Sequence, residues 1–371
     1  MQYIGLHQPD PDFNRLLRVL LRQGEPDRVP FFELFADPEI VSAVVGREVP
    51  RLSGPDPISG NRQLQGYFCD CLIEFSYTLG YDYVVSLIGG GPNLDYGFSP
   101  AEDTAALSRG QRQWARESHG LIGGWEDYEK YPWPSSGDAD YWMVDYLAAH
   151  VPEGMKFVGH GGAILEHVTW LMGYQNLAIA LYDQPDLLQT MFDRVGQMVL
   201  KNCETMCQYE AVGALWISDD IGHRSGPMIG PEHLRRYVFP WWKRMAETAH
   251  RAGRPVLLHS CGNLAVVMDD IIDDVKIDAK HSFEDTYLPV TEAKRQYGHR
   301  IALLGGVDVD VLCRSTEEEV RRYVGNVIDI CGPGGGYALG TGNTVANYVP
   351  IRNYLAMLDE GRRCGIYPLR G

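Results

Sequence analysis

Val256-Leu257-Leu258-His259-Ser260-Cys261-Gly262-Asn263 is a short apolar run that leads straight into an imidazole, a thiol and a glycine turn. So short and continuously apolar a run fits a parallel strand covered on both faces. Seven further runs share its character: 29–35, 83–88, 156–159, 214–218, 277–281, 301–305 and 337–340. Amphipathic stretches alternate with them. Residues 185–210 read as a long helix entered through Asp183-Gln184-Pro185, and 231–252 as another that ends at Gly253. A third, 316–330, opens on the capping pattern Ser315-Thr316-Glu317-Glu318 and stops at Gly332-Pro333. Eight strands, each followed by helical material, predict an α/β fold of the (β/α)8 TIM-barrel type. An open doubly wound sheet would need a glycine fingerprint after its first strand, and Ala36-Asp37-Pro38 stands there instead.

The 371 residues carry 33 Lys+Arg against 49 Asp+Glu, a net charge of −16, with 45% hydrophobic and 22% charged residues. Such a composition is globular and excludes a disordered or fibrous chain. The negative balance argues against a nucleic-acid partner, whose phosphates are held by Lys and Arg. No apolar stretch approaches the roughly 20 residues needed to cross a bilayer, so no membrane partner is expected. Met1–Gln8 has neither a basic start nor a long apolar run, and the expectation is a cytoplasmic chain. The eight cysteines then read mostly as buried thiols, with Cys203 and Cys207 spaced to face a core from one helix. One domain over 1–371 is expected, with 89–154 as an elaborated excursion over the barrel mouth. The aromatics there (Trp125, Tyr128, Tyr131, Trp133, Tyr141, Trp142) either cap a ligand cavity or form a satellite core.

Chemistry in this architecture belongs to the C-terminal ends of the strands. The polar residues there are Glu33 and Asp37 after the first, His160 after the third, Asp219 and Asp220 after the fourth, and His259 and Cys261 after the fifth. His281 and Glu284 follow the sixth, Asp308 the seventh and Asn343 the eighth. Asp37, directly before Pro38, reads as a helix cap, and Asp308 as a cap or a buried partner of a backbone amide. Residues i and i+2 of a strand share a face, so His259 and Cys261 converge inside the mouth. Both are zinc ligands, and a catalytic zinc has three protein ligands and one open position. The third ligand stays open among Glu33, His160, Asp220, His281 and Asn343; the metal-free alternative is a hydrogen-bonded histidine beside a buried thiol. Adjacent strand residues face opposite ways, which favours Asp220 towards the cavity as supporting group or general base and Asp219 as a structural hydrogen bonder, the reverse being open. Asp220, His281 and Glu33 are thus the catalytic candidates. His160, Asp219, Glu284, Asp308 and Asn343 are the substrate-binding ones.

Several motifs occur together in order: Asp27-Arg28-Val29-Pro30, Leu79-Gly80-Tyr81-Asp82, Asp219-Asp220-Ile221-Gly222, His259-Ser260-Cys261-Gly262-Asn263, Gly305-Gly306-Val307-Asp308 and Gly334-Gly335-Gly336-Tyr337. Over roughly residues 25–365 the chain resembles the uroporphyrinogen decarboxylase superfamily, including its zinc-dependent, corrinoid-linked methyltransferase branch. The resemblance implies a TIM barrel. The decarboxylases' Arg-Gln-Ala-Gly-Arg segment is missing around 20–40. Their aspartate falls near Leu87 or Ile88, their tyrosine near Thr169 and their late histidine near Asn343. The methyltransferase branch implies Zn2+ on a His-x-Cys pair, matched by His259 and Cys261, plus a later cysteine whose place is Asn343. It also implies a cobalamin-type corrinoid co-substrate, bound directly or on a partner corrinoid protein. The expected activity is methyl transfer between that corrinoid and a small thiol, hydroxyl or methoxy compound. The alternative is a metal-free decarboxylase or lyase of a small carboxylate, with an arginine such as Arg224 facing the cavity.

Overall fold

A computed structural model describes residues 9–51, 60–90, 94–114, 119–135 and 138–369. Met1–Gln8, and Gly91, Pro92, Ser136 and Gly137 of the expected excursion, lie outside them. Seven parallel strands form one sheet in chain order: β1 (Tyr83–Val84), β2 (Lys156–Gly162), β3 (Val212–Ser218), β4 (Val256–His259), β5 (Ala279–His281), β6 (Ala302–Leu304) and β7 (Tyr337–Ala338). Parallel neighbours require crossovers. Helices supply them, among them Pro185–Met206 before β3, Phe239–Arg251 before β4, Val290–Tyr297 before β6 and Glu317–Cys331 before β7. Proline at the first turn starts the 22-residue helix Pro185–Met206. The last of these helices is capped one residue later than the sequence pattern suggests, by Thr316 and Glu319 acting reciprocally.

The expected first strand, 29–35, is a correction to the eight-strand count. It meets the segment after β7 through isolated bridges at Phe31–Leu339 and Ala36–Val345 instead of a ladder. Phe32 N–H donates to Leu339 O at 2.7 Å and Leu339 N–H donates to Pro30 O at 2.8 Å. Pro30 has no N–H to extend the pattern. Towards β1 a side chain stands in for backbone: the Tyr83 hydroxyl accepts Glu33 N–H at 2.8 Å and donates to Glu33 C=O. The Phe32 and Tyr83 rings stack at 5.1 Å, and Phe32 meets Trp216 at 5.3 Å. These fully buried rings fill the space beneath the strand ends.

Residues 89–154 contain a hairpin (Ser99–Glu102 with Gln111–Trp114) and the helices Trp125–Lys130 and Trp142–His150. The aromatics here pack largely on one another: Trp125 on Tyr128 at 5.9 Å, Tyr128 on Trp133 at 5.3 Å, and Tyr131 on Trp133 at 4.7 Å. Trp142 stacks on Tyr146, against the helix Arg62–Leu79. The satellite-core reading therefore describes most of them, while Tyr141 lines a separate cleft beside Arg194. All eight cysteines are free; Cys203 is buried and Cys207 partly so. No described helix is long and apolar enough to cross a membrane.

Because the Tyr83 hydroxyl serves both backbone groups of Glu33, Tyr83→Phe leaves a buried N–H without a partner. The expected cost is about 1–3 kcal/mol, read as a lower urea midpoint at unchanged slope.

Candidate metal centre

Parallel register places the centre. His259 on β4 pairs with His281 on β5, and Ser218 on β3 lies level with His259. The two imidazoles therefore emerge side by side, with Nδ1 atoms 2.8 Å apart. His281 Nε2 lies 3.0 Å from the carbonyl oxygen of Thr341. A carbonyl only accepts, so Nε2 of His281 carries the proton and its Nδ1 is a lone pair. His259 must then donate from Nδ1, which leaves its Nε2 as a bare lone pair. Burial pushes both imidazoles towards the neutral form, His259 to about 3 and His281 well below its ordinary value.

The lone pair of His259 faces two further donor atoms. Cys261 Sγ is 3.5 Å from Nε2 and Asp220 Oδ1 is 3.6 Å from it. The three donor atoms lie within 4.8 Å of one another. Asp220 is held by Cys261 N–H, which donates to Oδ1 at 2.7 Å. Imidazole nitrogen, sulfur and carboxylate oxygen are all zinc ligands, and three of them leave a fourth position open. The buried Nε2 lone pair, approached by the Cys261 sulfur at 3.5 Å and the Asp220 carboxylate, makes the residues present a fit for that ion. Without a cation, burial and the neighbouring Asp220 carboxylate hold the Cys261 thiol above its usual range, protonated. Burial also raises Asp220.

The other predicted residues are distributed unevenly around this cluster. Asn343 reaches it, donating from Nδ2 to Cys261 Sγ at 3.2 Å. In this orientation the amide nitrogen is a donor to the sulfur. His281 lies behind His259, wholly buried, and its ring nitrogens are committed to His259 and Thr341. In these contacts it orients the His259 ring. Glu33 is also wholly buried and ends on Thr341, accepting from its N–H at 2.9 Å and meeting its Oγ1 at 2.5 Å. Among the described residues it makes no hydrogen bond to His259 or Cys261.

Asp219 faces away from the cluster, as strand alternation allows. Its carboxylate accepts from the backbone N–H groups of Ile164, Leu165 and Glu166 and from Trp242 Nε1, at 2.9–3.0 Å. With four donors and no exposure it anchors the start of the helix Leu165–Met172 and leaves no lone pair for a substrate. Asp308 caps as expected, accepting from Asp310 N–H and also from Asp285 N–H. Asp37 sits at a helix N-cap without capping it; its carboxylate takes Asn347 N–H and pairs with Arg112. The His160 ring has its charge interaction with His167 and is pushed down to about 4 by burial. Glu284 is half-buried within electrostatic range of Asp308 and Asp220, both of which raise it after burial does. Arg224 is exposed at the turn of a short hairpin.

Sequence reading passed over Lys280 and Glu166. Lys280 is buried, donates from Nζ to Ser282 O at 2.8 Å and Ser260 O at 3.3 Å, and lies 4.6 Å from the Phe283 ring centroid. Burial lowers it to about 8. A lysine inside a predicted strand was the available signal. Glu166 is raised well above the carboxylate range by burial and by Asp220 and Asp219; nothing local in the sequence marks it.

Residues 124–364 match the uroporphyrinogen decarboxylase (URO-D) family, and the chain belongs to it. The uroporphyrinogen decarboxylase of Anaeromyxobacter sp. (strain Fw109-5) is 24% identical over 187 residues, 50% of this chain and 51% of that protein. That of Thioalkalivibrio sulfidiphilus is 26% identical over 190 residues, again 50% and 51%. The chain thus spans about half the length of these curated relatives. In fold it is similar to a methyltransferase from Methanosarcina mazei, with TM-score 0.67 and 16% identity over 94% of this chain and 97% of that one. The family resemblance carried by the motifs is borne out.

Burial raises the Glu33 carboxyl from 4.5 to about 8. The folded chain therefore binds this proton more tightly than the unfolded chain, and the stabilisation is full below 4.5 and lost as pH rises through about 8. Glu33→Gln keeps an acceptor for Thr341 N–H and a donor for Oγ1. Across that window wild type should lose melting temperature relative to Glu33→Gln, measured by calorimetry at stepped pH.

Proposed function

We propose that this member of the uroporphyrinogen decarboxylase family transfers a methyl group between a corrinoid and a small thiol, hydroxyl or methoxy compound, using zinc. The supporting observation is the convergence of His259 Nε2, Cys261 Sγ and Asp220 Oδ1 around one point, with the nitrogen lone pair fixed by His281. His259, Cys261 and Asp220 would hold the ion. Bound zinc supplies Lewis acidity that lowers the proton affinity of an acceptor sulfur or oxygen. His281 and the Thr341 carbonyl keep His259 in the tautomer this needs. Asn343 steadies the sulfur. Glu284, half-buried and within electrostatic range of Asp220, would take the acceptor's proton and pass it to solvent. The corrinoid would meet the substrate at the mouth of a TIM barrel, either bound directly or carried by a partner protein.

The metal-free decarboxylase reading has less support. Leu87 and Ile88 occupy the region of the family's aspartate, and Arg224 is exposed at a hairpin turn. One nitrogen, one sulfur and one oxygen make a harder site than two sulfurs, suited to oxygen as well as sulfur acceptors.

Zinc-reconstituted protein should hold one zinc per chain, and His259→Ala, Cys261→Ala and Asp220→Ala should each weaken binding beyond the roughly 10–100-fold typical of changes behind the ligands. His281→Phe should fall within that range. Wild type should demethylate methylcob(III)alamin in the presence of a thiol or phenol, followed by corrinoid absorbance. Zinc bound equally well by all four variants would refute the site; zinc at this site with no corrinoid demethylation would refute the reaction.

A further inference from the structure

A cavity of about 300 Å³ lies where the 29–35 segment and the β1 segment end, apart from the three donor atoms. Phe35, Phe68, Leu72, Val85 and Ile88 give it an apolar wall. The hairpin covers it through Gln111, Arg112 and Gln113 and is tied down on three sides. Arg112 pairs with Asp37 and, at 3.3 Å, with Asp103; Asp103 accepts from Asn347 Nδ2 at 2.8 Å; Arg51 donates to Gln111 O at 2.6 Å.

The charges decide what can enter. Arg51 pairs with Glu39 and Arg112 with Asp37, so each cation in the wall is matched by an acid in the same wall. No lining guanidinium is left for a carboxylate or phosphate, and an anion entering here would have to break a partly buried pair. Ser86 also lines the cavity, and its enclosed hydroxyl has no hydrogen-bond partner among the described residues. The volume stands at the small end of organic-ligand sites, room for a single ring with small substituents.

We propose that this cavity binds an uncharged, ring-sized organic molecule. Resting on the methyl-transfer reading, it holds the apolar body of the small substrate. One loop links it to the metal centre: Asn343 donates to Cys261 Sγ, and Val345, two residues on, bridges to Ala36 in the cavity wall.

The test uses phenol, anisole and 2-methoxyphenol as uncharged probes and benzene-1,3,5-tricarboxylate as the charged one, on the full chain. Calorimetry should show saturable binding of at least one uncharged probe at roughly millimolar concentration. Its addition should shift the methyl resonances of Leu72, Val85 and Ile88 in wild type, a readout that needs no variant. Ala36→Leu and Leu72→Phe, checked for unchanged melting, should weaken binding at least about 10-fold, and His259→Ala should leave it intact. The proposal is overturned if no uncharged probe moves those methyls, or if the tricarboxylate binds more tightly than all three. Ring binding without methyl transfer sinks the reaction and keeps the cavity; methyl transfer without ring binding does the reverse.

Discussion

The contact between His259 and His281 is the constraint on which the centre depends. Two Nδ1 atoms 2.8 Å apart are compatible only when one donates and the other accepts. Were His281 protonated on Nδ1 as well as Nε2, it would present a second donor to the Nδ1–H of His259. Burial removes that state, and the surrounding rings supply it: Trp216 lies 6.0 Å from His281 and 6.4 Å from His259, and Phe32 lies 6.1 Å from His281. The apolar floor of the site is therefore part of its chemistry. It keeps the dyad neutral, and the Thr341 carbonyl decides which way the dyad points.

The same low-polarity surroundings act on the acids. Asp219 is stabilised by four donors, whereas Asp220 has Cys261 N–H and competes with Glu166 and Glu284 for whatever positive potential is near. Lys280 is the buried amine among them, and it is already committed to two carbonyls. Burial raises all three carboxyls, and Asp220 adds to the effect at Glu166 and Glu284. Asp219 and Asp220 show how one strand end divides the labour: one anchors a helix start, its neighbour faces the cluster.

Much of the scaffold was legible because it rests on local pattern. Val256–His259 is a strand with the expected bounds, and the alternation of apolar runs with amphipathic stretches gives the parallel sheet. His259 and Cys261 were legible together because strand period alone puts them on one face. Asp220 as the third donor was one candidate of five, since choosing it needs the height of β3 against β4, which no local pattern carries. The 29–35 segment was read as a strand on composition, yet Pro30 and the Tyr83 hydroxyl replace the ladder. His281 and Glu33 were assigned to catalysis from position at strand ends. Their burial and commitment to Thr341 depend on contacts between segments 60 and more than 300 residues apart in sequence. Such register is a tertiary property.

The loop after β7 is where these long-range pairings meet. Thr341 supports Glu33 and His281, Asn343 supports Cys261, Val345 bridges to Ala36, and Asn347 N–H donates to Asp37. Each step of two residues serves a different part of the mouth, so one extended segment sets the tautomer of a ligand, the sulfur's neighbour and the cavity wall together. A family cysteine at 343 would have given the ion a second sulfur. Asparagine there keeps a contact to Cys261, and Asp220 is the carboxylate that approaches His259 Nε2, at 3.6 Å. The ligand change and the charge-paired cavity point the same way: towards an uncharged substrate presented through oxygen or sulfur, and away from a molecule carrying many carboxylates.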